Sequence, residues 1–160
     1  MNSYTIPMLS KKTKYALKAM IALADSFERG PVLISELAER EGIPKKFLEL
    51  ILLDMKNAGF VQSKKGKGGG YMLRRTPLEI KMGQIIRMFE GPLALLPCVS
   101  QTAYIQCSEC RDERRCGLRL VMKDVRDATA RILDNTSLAD VLDRVSRSIA
   151  AESKSLNFEI

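Results

Sequence analysis

Four cysteines are the residues of this chain best suited to chemistry. They are its only cysteines and lie within 19 residues, with the spacing Cys98-x8-Cys107-x2-Cys110-x5-Cys116. Thiolates are soft metal ligands, and four on one loop suit zinc or an iron–sulfur cluster. We therefore expect a metal site formed by all four thiols. Arginines in the same stretch are expected to favour the thiolate form: Arg111, Arg114 and Arg115.

The spacing leaves the nature of this site open. It does not separate an iron–sulfur cluster of the 2Fe–2S or 4Fe–4S type from a four-cysteine zinc site. A metal-free thiol switch also fits, because a Cys-x2-Cys pair occurs in redox motifs. The simplest alternative is four unrelated buried or free cysteines.

The second group that could do chemistry is a basic, glycine-rich segment between two strand-like runs. Lysines at a hairpin tip can reach the DNA backbone, and glycines there allow close approach and positive φ. We expect the following DNA contacts in this segment: Lys64, Lys65, Lys67, Gly68, Gly69, Gly70 and Tyr71. The alternative is a solvated lysine-rich hairpin beside an ordinary pair of helices.

A third group lies at the start of a predicted helix just before this hairpin. The N-terminal residues of a recognition helix enter the major groove first, where lysine reaches phosphates or guanine and glutamate accepts from cytosine. The predicted contacts are Lys45, Lys46, Phe47 and Glu49.

The charge distribution favours the same assignment. Residues 1–90 hold 16 Lys or Arg against 9 Asp or Glu, whereas residues 91–160 hold 10 of each. The excess positive charge therefore lies in the half with the predicted DNA contacts. The chain has no histidine, which excludes histidine-dependent catalysis. We expect neither an enzyme nor a small-molecule substrate. We also expect no membrane span and no signal peptide, and therefore a cytoplasmic protein.

Apolar periodicity predicts the elements that position these groups. Helical spacing runs from Lys11 to Ala24, with Ser10 as N-cap. A short helix capped by Ser35 follows and ends at Gly42. Pro44 is expected at the first position of the next helix. The remaining elements of this half are a helix over Lys45–Ala58 and strands over Phe60–Ser63 and Tyr71–Arg74.

The second half begins with a predicted helix over Leu78–Glu90, followed by the cysteine loop. An amphipathic helix then runs from Leu118 to Leu133, and its apolar stripe either packs on its own core or pairs with a second copy. We favour pairing, because a palindromic DNA site needs a two-fold protein. Asn135–Ser137 should turn the chain and cap a short helix over Leu138–Leu142.

The predicted fold is mainly α with a small β-hairpin: a winged helix-turn-helix domain plus a long C-terminal dimerisation helix. Four segments are expected: an N-terminal extension at 1–7, the DNA-binding domain at 8–90, a cysteine-rich sensor loop at 91–117, and the dimerisation helix with a C-terminal segment at 118–160.

These residues resemble the Rrf-two (Rrf2) family of bacterial winged-helix regulators. The similar stretches are Met8–Leu17, Ile34–Ala38, Ile43–Glu49 and Gly66–Tyr71, and the resemblance covers roughly Met8 to Leu142. It implies that Met1–Pro7 is an extension, or that translation begins at Met8. It also implies a homodimeric transcription factor that binds a double-stranded DNA operator.

The resemblance further implies that three cysteines hold an iron–sulfur cluster, with a non-cysteine group completing the ligation. The family's three positions best match Cys98, Cys110 and Cys116. A histidine used by some members would fall near Arg119, and an acidic residue used by others near Lys14. Neither can be carried over to this chain. The additional Cys107 could complete an all-cysteine site.

Overall fold

The chain forms six α-helices and one two-stranded hairpin in the computed structural model, which describes residues 9–156. The predicted extension at 1–7 and Met8 lie outside these residues. The elements are α1 (Lys11–Asp25), α2 (Ile34–Glu41), α3 (Lys45–Asn57), β1 (Val61–Lys64), β2 (Gly70–Leu73), α4 (Met82–Glu90), α5 (Gly117–Asn135) and α6 (Leu138–Leu156). This order confirms the predicted mainly α fold with a hairpin. None of the described helices is long and apolar enough to cross a membrane.

Helices α1, α2 and α3 pack through the apolar faces that their periodicity predicts. Ser10 caps α1 by accepting a hydrogen bond from the Thr13 amide at 3.1 Å. The inward residues of α3 are fully buried: Leu48, Ile51, Leu52 and Met55. Gly42 ends α2 in the left-handed conformation, at φ 63° and ψ 38°, where glycine avoids the steric cost of a Cβ. These contacts set α3 at a fixed angle to α2.

Two predicted cap positions in this unit are wrong by one or two residues. Helix α2 already begins at Ile34, because the Leu33 carbonyl accepts from the Leu37 amide at 3.0 Å. Ser35 therefore lies inside the first turn and does not cap the helix. Pro44 has an extended ψ of 124° and is the N-cap of α3. Its predicted place at the first helical position is also wrong.

The hairpin is attached to the helical unit by its own backbone. β1 and β2 pair antiparallel from Val61–Leu73 to Lys64–Gly70, so each strand is shifted by one residue from its predicted range. The backbone of Tyr71 also exchanges two hydrogen bonds with Val32, at 2.9 and 2.8 Å. The segment before α2 therefore pairs with β2 close to the turn of the hairpin.

Helix α4 begins at Met82, so the predicted start at Leu78 is wrong. Glu79 closes a turn instead, and its carboxylate accepts from the Thr76 amide at 2.9 Å and the Thr76 hydroxyl at 2.6 Å. Lys81 forms an antiparallel bridge with Ser137, and this pairing needs extended backbone. Residues 80–82 are thereby tied to the turn between α5 and α6.

The last two helices pack differently. No described residue of α5 is buried, whereas Leu138 at the start of α6 is fully buried within the same core as α1. Ser137 caps α6 as predicted, because its hydroxyl accepts from the Asp140 amide at 3.1 Å. Helix α6 continues to Leu156, so the prediction of a short helix was wrong in length.

Candidate DNA interface and cysteine site

The outer face of α3 is open to solvent over its first two turns. Lys45, Lys46 and Glu49 are exposed, in the positions from which a recognition helix contacts bases. Leu50 and Leu53 lie on the same face and are 58% and 51% exposed. Neither leucine was predicted from the sequence as a DNA contact, although both fall outside the buried stripe of α3. Exposed apolar side chains there suit contact with thymine methyl groups.

Phe47 has a different environment from its neighbours. Its ring is half-buried and packs edge-to-face on Tyr15 of α1, with ring centroids 5.7 Å apart and an interplanar angle of 80°. This contact fixes the start of α3 against α1 and so orients Lys45 and Lys46. A direct contact between Phe47 and DNA remains a prediction.

The hairpin tip projects its lysines outward. Lys64, Lys65 and Lys67 are all exposed. The Lys56 ammonium of α3 donates to the Ser63 hydroxyl at 2.8 Å, which fixes the hairpin beside α3. The contact places the hairpin beside the last turn of α3, and a DNA surface shared by the hairpin and the start of α3 remains a prediction.

Two of the glycines in this hairpin approach the protein's own backbone. A Cβ on Gly69, which is buried, would lie 2.4 Å from the Lys64 carbonyl oxygen. A Cβ on Gly70, at φ 146°, would lie 2.3 Å from the Val32 carbonyl oxygen. Gly68 has open space around it at φ 73°. The close approach at Gly69 and Gly70 therefore shapes the turn, and contact of either with DNA remains a prediction.

All four cysteines line one cavity of about 390 Å³ beside the start of α5. Cys98 is buried in a 3-10 turn, Pro97–Val99, and Cys116 is the residue just before α5. Cys107 and Cys110 share a turn in which the Cys110 amide donates to the Cys107 carbonyl at 3.3 Å. The loop thus gathers residues up to 18 positions apart in sequence around one space.

The charge environment of the thiols differs from the prediction. Desolvation raises the pKa of the Cys110 thiol, and its hydrogen bond with Cys116 raises it further. The side chains of Arg114 and Arg115 are 95% and 90% exposed and pair with Asp112 instead. The expectation that these arginines favour the thiolate is therefore wrong for Cys110.

The donor set fits a soft metal, but the described side chains do not form a finished site. Four thiols facing one cavity are the ligands that zinc and iron–sulfur clusters use. No three Cys, Asp or Glu side chains among the described residues are placed to hold one metal ion. Metal binding by these four thiols remains a prediction.

An exposed apolar stripe runs along α5 on the side away from the core. Leu118, Val121 and Ile132 are 60%, 56% and 59% exposed, and Val125 is 39% exposed. Their spacing of three, four and seven residues places them on one helical face. An apolar face of this kind is typical of a helix that pairs with a partner.

A helix-turn-helix joined directly to a hairpin with an exposed lysine tip defines a winged-helix DNA-binding protein. The chain belongs to the Rrf2 family: residues 9–144 match the family model described as "Iron-dependent Transcriptional regulator". This confirms the resemblance seen in the sequence. The chain is thus a DNA-binding transcriptional regulator, and the family confirms that it is not an enzyme.

Individual relatives agree with this assignment. An rrf2-like HTH-type transcriptional regulator of Rhodobacter capsulatus is 42% identical over 138 residues, which are 84% of this chain and 92% of the relative. The structure of CymR, the global cysteine regulator of B. subtilis, matches with a TM-score of 0.73 at 30% identity and covers 87% of this chain and 98% of CymR. T. potens IscR matches with a TM-score of 0.70 at 31% identity, over 92% and 93% of the two chains.

Proposed function

We propose that this regulator is a cytoplasmic homodimer whose affinity for its operator depends on the state of its four cysteines. The observation that carries this proposal is that all four cysteines line one cavity at the start of α5. Because α5 also presents the exposed apolar stripe, one helix joins the cysteine site to the proposed dimer contact.

The DNA side of the proposal uses the surface of α3 and the hairpin. Lys45, Lys46 and Glu49 contact base edges and phosphates in the major groove, and Phe47 holds the helix in place. The hairpin lysines contact the backbone of the flanking duplex, and each neutralised phosphate adds about −0.9 to the log–log salt slope. Two copies of this surface require an operator with approximate two-fold symmetry.

The cysteine side of the proposal uses Cys98, Cys107, Cys110 and Cys116 as ligands. An iron–sulfur cluster would supply sensitivity to oxidants, iron supply or nitric oxide, whereas zinc would supply a fixed cross-link. Cys107 replaces the non-cysteine ligand that other family members use. No small-molecule substrate is part of the proposal.

Coupling follows from the attachment of the loop to α5. The Arg126 guanidinium of α5 donates to the Val99 carbonyl beside Cys98. A change in the conformation of the loop therefore shifts α5. In a dimer that pairs through α5, this shift changes the distance between the two α3 helices. A separation that no longer matches successive major grooves lowers operator affinity.

The decisive experiment is anaerobic purification followed by an ultraviolet–visible spectrum and analysis for iron, sulfide and zinc. The operator is first obtained by selection from random duplexes. Binding to it is then compared for the protein as purified, after chelation, and after oxidation. We expect coloured protein that contains iron and sulfide and changes its operator affinity when the cluster is lost.

Other results would select the alternatives. A colourless protein with one zinc per subunit and unchanged DNA binding would reject the cluster in favour of a structural zinc site. Metal-free protein whose operator affinity responds to reversible disulfide formation would identify a thiol switch. The Cys107→Ser variant tests the ligand set: loss of metal supports four cysteines, and full retention supports three.

A further inference from the structure

Arg119 contacts both ends of the cysteine loop. It lies in the first turn of α5, three residues after Cys116. Its Nε donates to the backbone carbonyl oxygen of Cys98 at 3.2 Å and lies 3.8 Å from a carboxylate oxygen of Glu113. The Arg119 side chain is 26% exposed and lines the same cavity as the thiols. One guanidinium therefore connects the first cysteine to the segment that precedes the last.

Glu113 is held from its other side by the middle of the loop. The Tyr104 hydroxyl donates to the second carboxylate oxygen of Glu113 at 2.5 Å. Glu113 is half-buried and also lines the cavity. Three separate parts of the loop, at residues 98, 104 and 113, thus meet at one ion pair beside the thiols.

An arginine cannot itself bind a metal, because its guanidinium has five donors and no acceptor. It can act on the site in another way, because its bond to the Cys98 carbonyl fixes the backbone that carries the first thiol. The exposed arginines Arg114 and Arg115 cannot do the same, because they face solvent and Asp112.

We propose that Arg119 is a positioning residue of the cysteine site, which holds Cys98 and the Glu113 segment so that the four thiols face one cavity. The proposal deepens the proposed function and rests on it only for the step in which the thiols take up metal. Glu113 and Tyr104 act with Arg119 by orienting its guanidinium. The placement of Cys98 is a property of the metal-free chain, so it can be tested independently of any metal.

The first test measures the reactivity of individual cysteines in the reduced, metal-free protein. Iodoacetamide labelling followed by peptide mass spectrometry gives a rate for each thiol. In Arg119→Met, which keeps an unbranched stem, we expect Cys98 to react about tenfold faster because its backbone loses a charged hydrogen bond. Arg115→Met, which removes an exposed arginine from the same loop, should leave the Cys98 rate unchanged.

The second test measures metal affinity with Co²⁺ alone as the probe. Thiolate-bound Co²⁺ has a charge-transfer absorption that reports binding directly. We expect Arg119→Met to bind Co²⁺ about tenfold more weakly, Arg119→Lys to regain most of the affinity, and Arg115→Met to match the wild type. Equal Cys98 labelling and equal Co²⁺ affinity in Arg119→Met and the wild type would overturn the proposal.

Two further outcomes are distinguishable. If the wild type gives no thiolate–Co²⁺ absorption, the metal site of the proposed function fails, and the Cys98 labelling rate still decides the role of Arg119. If circular dichroism shows that Arg119→Met does not fold, Tyr104→Phe and Glu113→Gln are tested instead. Both variants weaken the contacts that orient the Arg119 guanidinium but keep the arginine itself. These variants should raise Cys98 labelling severalfold, and wild-type rates in both would overturn the proposal.

Discussion

Arg87 of α4 and Asp134 of α5 form a bidentate ion pair. One guanidinium nitrogen lies 2.5 Å from Oδ1 of the carboxylate, and the other lies 2.9 Å from Oδ2. The pair raises the pKa of Arg87 and lowers that of Asp134. The ion pair joins α4, which follows the hairpin, to α5, which begins at the end of the cysteine loop.

Replacement of Asp134 should weaken this joint in a pH-dependent way. Both side chains are more than a third exposed, so we expect Asp134→Asn to lose up to about 1 kcal/mol of unfolding free energy at neutral pH. The folded state lowers the carboxyl pKa, so its contribution is present above the unfolded pKa and is lost as pH falls through the folded one. Urea titrations should therefore show the difference shrinking below about pH 4.

The control for this prediction is the ion pair between Asp143 and Arg147 on α6. It lies within one helix and is more exposed, so Asp143→Asn should change stability by less than about 0.5 kcal/mol. A pH-independent loss in Asp134→Asn would show that the carboxylate charge is not what joins α4 to α5.

Gly83 leaves room for this ion pair. A Cβ at Gly83 would lie 2.2 Å from the Asp134 Oδ1 and 2.9 Å from an Arg87 nitrogen. Alanine favours a helix by about 1 kcal/mol over glycine, but in the wild type it displaces the Asp134 carboxylate. We expect Gly83→Ala to be more favourable by about 1 kcal/mol in an Asp134→Ala background than in the wild type. Additive effects in a urea double-mutant cycle would contradict this.

The hairpin lysines should contribute to DNA affinity without regard to sequence. Combined replacement of Lys64, Lys65 and Lys67 by alanine removes three exposed charges from the tip. We expect weaker binding to all duplexes and a log–log salt slope reduced by as much as about 3. Fluorescence anisotropy at several salt concentrations measures both.

The control for the prediction about the hairpin lysines removes one exposed positive charge from a different part of the molecule. Arg147→Ala on α6 should leave the salt slope unchanged, because Arg147 lies outside the predicted DNA surface. Wild-type affinity and slope in the triple lysine variant would show that the hairpin does not contact DNA.

The sequence predicts most of the fold because apolar periodicity is strong in its first half. The buried stripe of α3 and the glycine at the end of α2 are set by local pattern and backbone conformation. Apolar periodicity cannot show which segments that are distant in sequence pair with each other through their backbones. The bridge between Lys81 and Ser137 delays the start of α4, and only the tertiary structure reveals it.

Some features of the functional residues could likewise be predicted from the sequence, whereas others depend on the tertiary structure. Lysines at a glycine-rich tip are expected to be exposed, and they are. The four cysteines predict a shared site, and they line one cavity. The contact of Tyr104 with Glu113 could not be predicted from the sequence, because it depends on the conformation of an irregular loop.

The apolar stripe of α5 should hold two copies of the chain together. Leu118, Val121, Val125 and Ile132 leave a substantial apolar surface in water, and its burial in a dimer is favourable by about 25 cal/mol per Å². A carboxylate in the middle of this surface would be buried without a partner. We therefore expect Val121→Asp combined with Val125→Asp to give monomers in sedimentation velocity at micromolar concentration.

The matched control places the same side chain on the opposite face of α5. Lys123 is exposed and lies about half a helical turn from the stripe, so Lys123→Asp should remain dimeric although it also adds negative charge. Monomeric variants with the wild-type circular dichroism spectrum should lose operator affinity steeply, because a single winged helix contacts only half of a two-fold site. A double variant that stays dimeric would place the subunit contact elsewhere on the molecule.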